Sequence, residues 1–175
     1  MGSFSKALFP GLRLGYLVGP EPLIREARQL RSLMLRHPPG HLQRTVAYFL
    51  ALGHYDSLIR DLRKAFAERR RVLTHALESE GLEIAGAASF GGTNLWIKGP
   101  DGLDSNRFAQ DLRADGVLIE PGAPFFESSR EPIQFFRMAY SSIPSERIEE
   151  GVRRIARKLS RQGWKKRSAL PQKLA

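Results

Sequence analysis

The chain has 175 residues, 42% hydrophobic and 26% charged, with a formal net charge of +10 at pH 7. That composition suits one domain, or one domain with part of a second, and excludes a fibrous or wholly disordered polymer. Cysteine is absent, which excludes a disulfide framework and any thiolate metal site and fits a reducing cytoplasm. No apolar run is long enough to span a bilayer, and the opening Met-Gly-Ser-Phe-Ser-Lys lacks the hydrophobic region of a signal peptide. A cytoplasmic location is expected.

Residues 1–20 read as a loop and then a strand. Gly2–Lys6 is small and polar, Leu14–Val18 is apolar, and Gly19-Pro20 ends the run. Pro22 suits the first turn of a helix in which Leu23, Ile24, Ala27, Leu30, Leu33 and Met34 recur at helical spacing. His37-Pro38-Pro39-Gly40 breaks that helix. A second helix is expected from about His41 to Leu52, ending at Gly53, and a third from about Asp56 to Glu80, closed by Gly81. Leu58, Leu62, Phe66, Leu73 and Leu77 mark the apolar face of the third.

Ile84 and Asn94–Lys98 read as strands separated by a glycine-rich turn at Gly91-Gly92. Ser105–Asp115 reads as a helix capped by Asp104 or Ser105. Val117–Glu120 and Gln134–Tyr140 read as strands, and a last helix starts near Pro144 on Ile148, Val152, Ile155 and Leu159. Beyond Ser160 the polar, basic composition predicts disorder. From residue 81 the order is strand, strand, helix, strand, strand, helix, an α+β layer with its helices on one sheet face. No internal repeat and no low-complexity segment is visible.

The positive charge is concentrated in Arg60, Arg63, Lys64, Arg69, Arg70 and Arg71 on one helix and in Arg153, Arg154, Arg157, Lys158 and Arg161 on another. Lys165, Lys166 and Arg167 follow in the tail. A nucleic-acid site would interleave aromatic residues with such cations or carry a reader motif. Only Trp164 lies close to the second cluster, so these charges read as solvated helix faces and a basic end. Glu120 and Glu149 are candidates for acid/base work, but no pattern in the sequence pairs them.

The densest chemistry lies in Gly2-Ser3-Phe4-Ser5-Lys6 and Pro10-Gly11-Leu12-Arg13-Leu14-Gly15-Tyr16. One amine, two hydroxyls and one guanidinium occupy a short loop between glycines that admit close backbone approach. A lysine amine can form a Schiff base with an aldehyde, while hydroxyls and an arginine fork suit a phosphate monoester. An aldehyde joined to a phosphate describes pyridoxal 5'-phosphate (PLP), which acts as an electron sink once bound. Each of these residues alone would be an ordinary solvated side chain or turn former; the argument rests on their combination.

This segment resembles the cofactor-lysine segment of fold-type I, class I/II aminotransferases, and most nearly that of the aminotransferase-like domain of MocR-type regulators of the GntR family. The resemblance implies that Lys6 forms the internal aldimine and shuttles the proton during reaction. It also implies that Ser3, Ser5 and Arg13 contact the cofactor phosphate. Gly91-Gly92-Thr93-Asn94-Leu95-Trp96 and Gly116-Val117-Leu118-Ile119-Glu120-Pro121-Gly122 with Phe125-Phe126 resemble small-domain segments of the family, the second bordering its substrate pocket. Phe136-Arg137-Met138-Ala139-Tyr140-Ser141 resembles the strand whose arginine pairs with the substrate carboxylate, so Arg137 inherits that role; a planar fork suits it. Phe125, Phe126 and Trp96 read either as an apolar wall of that pocket or as core.

The implied fold is α/β to α+β: a remnant of the large cofactor-binding domain over residues 1–55, then a connecting helix and complete small C-terminal domain over 56–160, with a basic tail over 161–175. No metal site is implied. The upstream segment of a complete member, with its phosphate loop, ring-stacking aromatic and pyridine-pairing aspartate, is not recognisable here, so the chain alone is expected to bind PLP at best partially and not to be a competent transaminase. Two functions follow. One is amino-group transfer between an amino acid and a 2-oxo acid in a homodimeric enzyme. The alternative is effector sensing in a MocR-type regulator, with DNA contacted only through an upstream winged helix. A third, a basic nucleic-acid-binding module, would reveal itself by affinity that falls steeply with salt.

Overall fold

The computed structural model describes residues 1–86, 92–127 and 133–164. The chain divides into two units, Met1–Arg63 and Lys64–Ala175. The first opens on a two-residue ladder: β1 (Gly2–Ser3) pairs antiparallel with β2 (Gly15–Tyr16), Gly2 opposite Tyr16 and Ser3 opposite Gly15. The strand expected over Leu14–Val18 is thus shorter. A strand extends only as far as its partner, β1 offers two residues, and Leu17 and Val18 run on exposed.

Helix α1 (Glu21–Met34) takes Pro22 into its first turn, where the missing N–H costs nothing. It has the expected apolar periodicity but buries none of its side chains. Helix α2 (Gly40–Ala51) buries Val46. Gly53, at φ 75°, reverses the chain into α3 (His54–Ser79), which therefore begins two residues earlier than its apolar spacing suggests.

The core of the second unit begins on the far end of α3 with Leu73, Ala76 and Leu77. Gly81 stops the helix in a left-handed conformation, with Leu82 N–H donating back to the Leu77 carbonyl. A four-stranded antiparallel sheet follows, β3 (Glu83–Ile84), β4 (Asn94–Lys98), β5 (Glu120–Pro121) and β6 (Phe135–Ala139), in the spatial order β3-β4-β6-β5. Between the strands lies α4 (Ser105–Ala114), whose cap is Asp104, its carboxylate accepting from the Asn106 and Arg107 N–H groups. Helix α5 (Ser145–Arg161) closes the unit. The element order expected from residue 81 onward holds.

Alternation along β4 and β6 separates the two sheet faces. Leu95, Ile97 and Phe136 point into a core completed by Phe108 and Leu112 of α4 and by Ile148, Val152, Ile155 and Leu159 of α5. Each such aliphatic side chain contributes about 2 kcal/mol on burial. Trp164 packs against the same core and its backbone N–H donates to the Leu159 carbonyl, so the order of the chain extends past Ser160, contrary to expectation. An indole covers enough apolar surface to hold the residues after a helix end. Residues 165–175 of the expected disordered tail and Gly91 of the expected glycine turn lie outside the described residues. Among the described residues no helix is long and apolar enough to cross a membrane.

Candidate functional site

In the first unit the β1–β2 ladder, extended by a bond from Phe4 N–H to the Leu14 carbonyl at 3.0 Å, closes a loop over residues 4–14. Two glycines permit the closure. A Cβ on Gly15 would lie 2.7 Å from the Gly2 carbonyl oxygen, and one on Gly2 would lie 2.5 Å from the Tyr16 ring. Inside the loop, Leu8 N–H reaches back to Phe4 O at 2.9 Å and forms a turn that carries Ser5 and Lys6. Pro10–Leu12 forms one turn of 3-10 helix whose buried Leu12 seats the loop.

Ser3, Lys6 and Arg13 are exposed, while Ser5 is buried. Ser5 N–H donates to Ser3 Oγ at 3.3 Å, a bond that uses an oxygen lone pair and not the hydroxyl proton. Arg13 ends the 3-10 turn at φ 47°, ψ 33°, a left-handed conformation unusual for a residue with a Cβ. Phe4 packs its ring against Tyr16 and Tyr55, at 5.5 and 5.8 Å between centroids. The loop therefore brings together four of the five residues singled out from sequence. Hydroxyl, amine and guanidinium donors in one short loop form a set that fits a phosphorylated aldehyde.

The fifth, Arg137, belongs to the second unit, on the sheet face away from the core. It sits on β6 opposite Trp96 of β4 on one side and Glu120 of β5 on the other. Its Nε donates to Glu120 Oε2 at 2.6 Å, and its Nη2 contacts the same oxygen. The guanidinium carbon stands 4.8 Å from the centroid of Phe125, a cation–π arrangement. Phe125 meets Trp96 edge-on at 5.4 Å, Trp96 stacks on Phe135 at 5.9 Å, and Phe126 touches both Trp96 and Phe135. These aromatics lie outside the core cluster. Phe125 and Phe126 are exposed.

Glu120, which no sequence pattern pairs, is thus the partner of Arg137. Seventeen residues separate the two, and strand register alone sets them opposite each other. Glu149 is also paired, with Arg153 one helical turn along at 3.8 Å.

The basic helix faces are partly neutralised. Glu150 receives Arg154 at 2.9 Å and Arg157 at 3.1 Å, and Lys158 bonds Asp115 at 2.9 Å. Those hydrogen bonds, chiefly from Arg154 and from Lys158, hold the Glu150 and Asp115 carboxyls below the usual carboxylate range. In the second unit a cavity of about 520 Å³ is lined by Pro100, Asp104, Arg107, Phe108, Asp111 and Trp164 among others, and includes none of the five candidate residues.

Residues 1–155 match the family model for aminotransferase class I and II. The chain is 55% identical over 159 residues to the HTH-type transcriptional regulator TauR of Rhodobacter capsulatus, covering 91% of this chain and 33% of that protein. It is 31% identical over 160 residues to 2-aminoadipate transaminase of Thermus thermophilus, covering 91% of this chain and 40% of the transaminase. Among solved structures, the α-aminoadipate aminotransferase LysN of Thermus thermophilus, complexed with N-(5'-phosphopyridoxyl)-L-leucine, superposes with a TM-score of 0.78. It is 30% identical, with 90% of this chain and 40% of that one covered. A multiple substrate aminotransferase from Thermococcus profundus gives 0.81 at 27% identity, covering 92% and 40%. The chain spans a third to two fifths of the length of these relatives.

Proposed function

The chain belongs to the aminotransferase class I and II family, and we propose that it carries the lysine-bearing part of a PLP-dependent module. Lys6 is the covalent holder of the cofactor, and Ser3, Ser5 and Arg13 hold its phosphate. Arg137 receives the carboxylate of an amino acid or 2-oxo acid. The observation that carries this reading is the loop closed by β1 and β2, with Lys6 in its turn and Arg13 at its far end. An amine that attacks an aldehyde carbon must be presented on an ordered turn, and a phosphate on the neighbouring ring substituent needs fixed donors.

Once bound, PLP supplies the electron sink. The residues of the chain do the rest. Lys6 Nζ would hold the cofactor covalently through its aldehyde carbon and would carry the mobile proton. The Ser3 hydroxyl and the Arg13 fork anchor the phosphate. The guanidinium of Arg137 orients the ligand through its acid group. In this reading residues 1–55 end the large cofactor-binding domain and 56–160 form the connecting helix and small domain, in a cytoplasmic homodimer.

A second reading is favoured by one observation: identity to the HTH-type regulator is 55%, against 31% to the transaminase. Here the same residues hold cofactor and ligand for sensing rather than turnover, and DNA contact resides in a segment outside these residues. Product formation from an amino acid and a 2-oxo acid separates the two readings.

The cofactor reading is tested by mixing the purified chain with PLP, reducing with borohydride and mapping the adduct by mass spectrometry. A phosphopyridoxyl group on Lys6, absent in Lys6→Ala and weakened in Arg13→Ala, is expected. Labelling scattered over many lysines, or none, would sink it.

A further inference from the structure

We propose that Glu120 sets the affinity of the Arg137 site by acting as an internal carboxylate, which an incoming ligand must displace or share. The inference rests on the assignment of Arg137 as carboxylate binder and adds to it a competitor built into the neighbouring strand.

Three features carry it. Glu120 and Arg137 are direct cross-strand partners, so both side chains emerge on the same face of the sheet. The carboxylate engages the guanidinium side-on, through Nε at 2.6 Å and through Nη2, and Nη1 stands outside the pair. The pair is also accessible, with the Arg137 side chain 35% and that of Glu120 47% exposed. A half-exposed pair opens without disturbing the core, unlike a buried one.

The surroundings decide what a ligand then meets. Phe125 lies against the guanidinium plane, so Arg137 stays in place when its carboxylate partner shifts. The backbone that carries Glu120 is fixed, so a displaced carboxylate stays tethered close to Arg137. The strand that carries it runs into Gly122, whose N–H donates to the buried Ser105 Oγ at 3.2 Å, and a Cβ at Gly122 would collide with the Phe135 carbonyl. A ligand carboxylate on the Nη1 side therefore approaches a unit of zero net charge, with a second carboxylate a few ångströms away. Like charges that close cost roughly tenfold in affinity at a partly exposed site.

The probe is N-(5'-phosphopyridoxyl)-L-leucine, compared with its carboxamide counterpart by calorimetric titration of the full chain. Their affinity ratio isolates what the acid group contributes. In Glu120→Gln, which keeps an acceptor oxygen for Nε, the ratio is expected to rise roughly tenfold, and the rise to shrink between about 0.1 M and about 1 M salt. Arg137→Gln should bring the ratio close to one, with or without the Glu120 change.

A ratio that falls or stays level in Glu120→Gln, while Arg137→Gln still collapses it, overturns the proposal: Glu120 then only positions the arginine, and the assignment of Arg137 stands. A ratio untouched by Arg137→Gln, or no binding of the probe by any variant, refutes the assignment and the proposal together.

Discussion

Arg13 combines a side chain suited to phosphate with a backbone conformation that a Cβ resists. Replacing it separates the two. Arg13→Gly removes the guanidinium and relieves the left-handed residue, whereas Arg13→Ala removes the guanidinium and keeps the strain. Thermal melting should show the glycine variant more stable than the alanine one by about 1 kcal/mol, with PLP labelling of Lys6 weakened in both. Equal labelling in Arg13→Gly and wild type would deny the arginine its phosphate role. Gly15 makes the complementary case. A methyl group there meets the Gly2 carbonyl, so Gly15→Ala should destabilise the chain by about 1–3 kcal/mol and spread labelling away from Lys6. Ser3, Ser5, Lys6 and Arg13 could be singled out as candidates from the sequence because they lie in one short motif. The pairing of Glu120 with Arg137 could not, because it exists only once β5 and β6 are in register.

The helices could be read from periodicity, since an apolar stripe every three or four residues is a property of the segment itself. The strands from residue 81 onward were read in the right order but not at the right length, because a strand ends where its partner does, and β1, read as loop, is a strand only through its pairing with β2. Thus the run expected over Val117–Glu120 appears as β5 at Glu120–Pro121, the two residues that meet β6. The helix cap was legible to within one residue, as Asp104 or Ser105, because capping is local; the structure places it at Asp104. Asp104→Ala leaves the Asn106 and Arg107 N–H groups without that acceptor and should cost about 1 kcal/mol by chemical denaturation. The tie between α4 and α5 depends on pH. Lys158 holds the Asp115 carboxyl below its ordinary value, so its folded pKa lies beneath the unfolded one. Stability from that bond is complete above the unfolded value, about 4, and is lost as pH falls through the folded one. Melting followed downward from about pH 5 should therefore fall less steeply in Asp115→Asn than in wild type; parallel curves would show that the bond contributes nothing.

Burial is unevenly shared between the two units. Among the described residues, the buried apolar side chains of Met1–Arg63 are Leu12 and Val46, whereas the second unit builds a core from α3, α4, α5, β4 and β6. Apolar periodicity cannot tell a stripe that packs within the chain from one that faces outward, and α1 is the clearest instance. Its Leu30, Leu33 and Met34 are 62%, 84% and 80% exposed, though their spacing is that of a core helix. Such a face favours association, while a helix without buried contacts opens locally at little cost. Hydrogen exchange should accordingly find α1 amides among the fastest and those of α5 among the slowest, and brief proteolysis should cut between residues 21 and 53 and spare a fragment containing the second unit. Replacing Leu30 and Leu33 together by glutamate should change stability by no more than about 0.5 kcal/mol per site. The same change should reduce self-association in light scattering at high concentration. Slow exchange throughout α1 in dilute chain, with marked destabilisation by the double change, would mean that its apolar stripe is covered within the monomer and that the first unit has a core of its own.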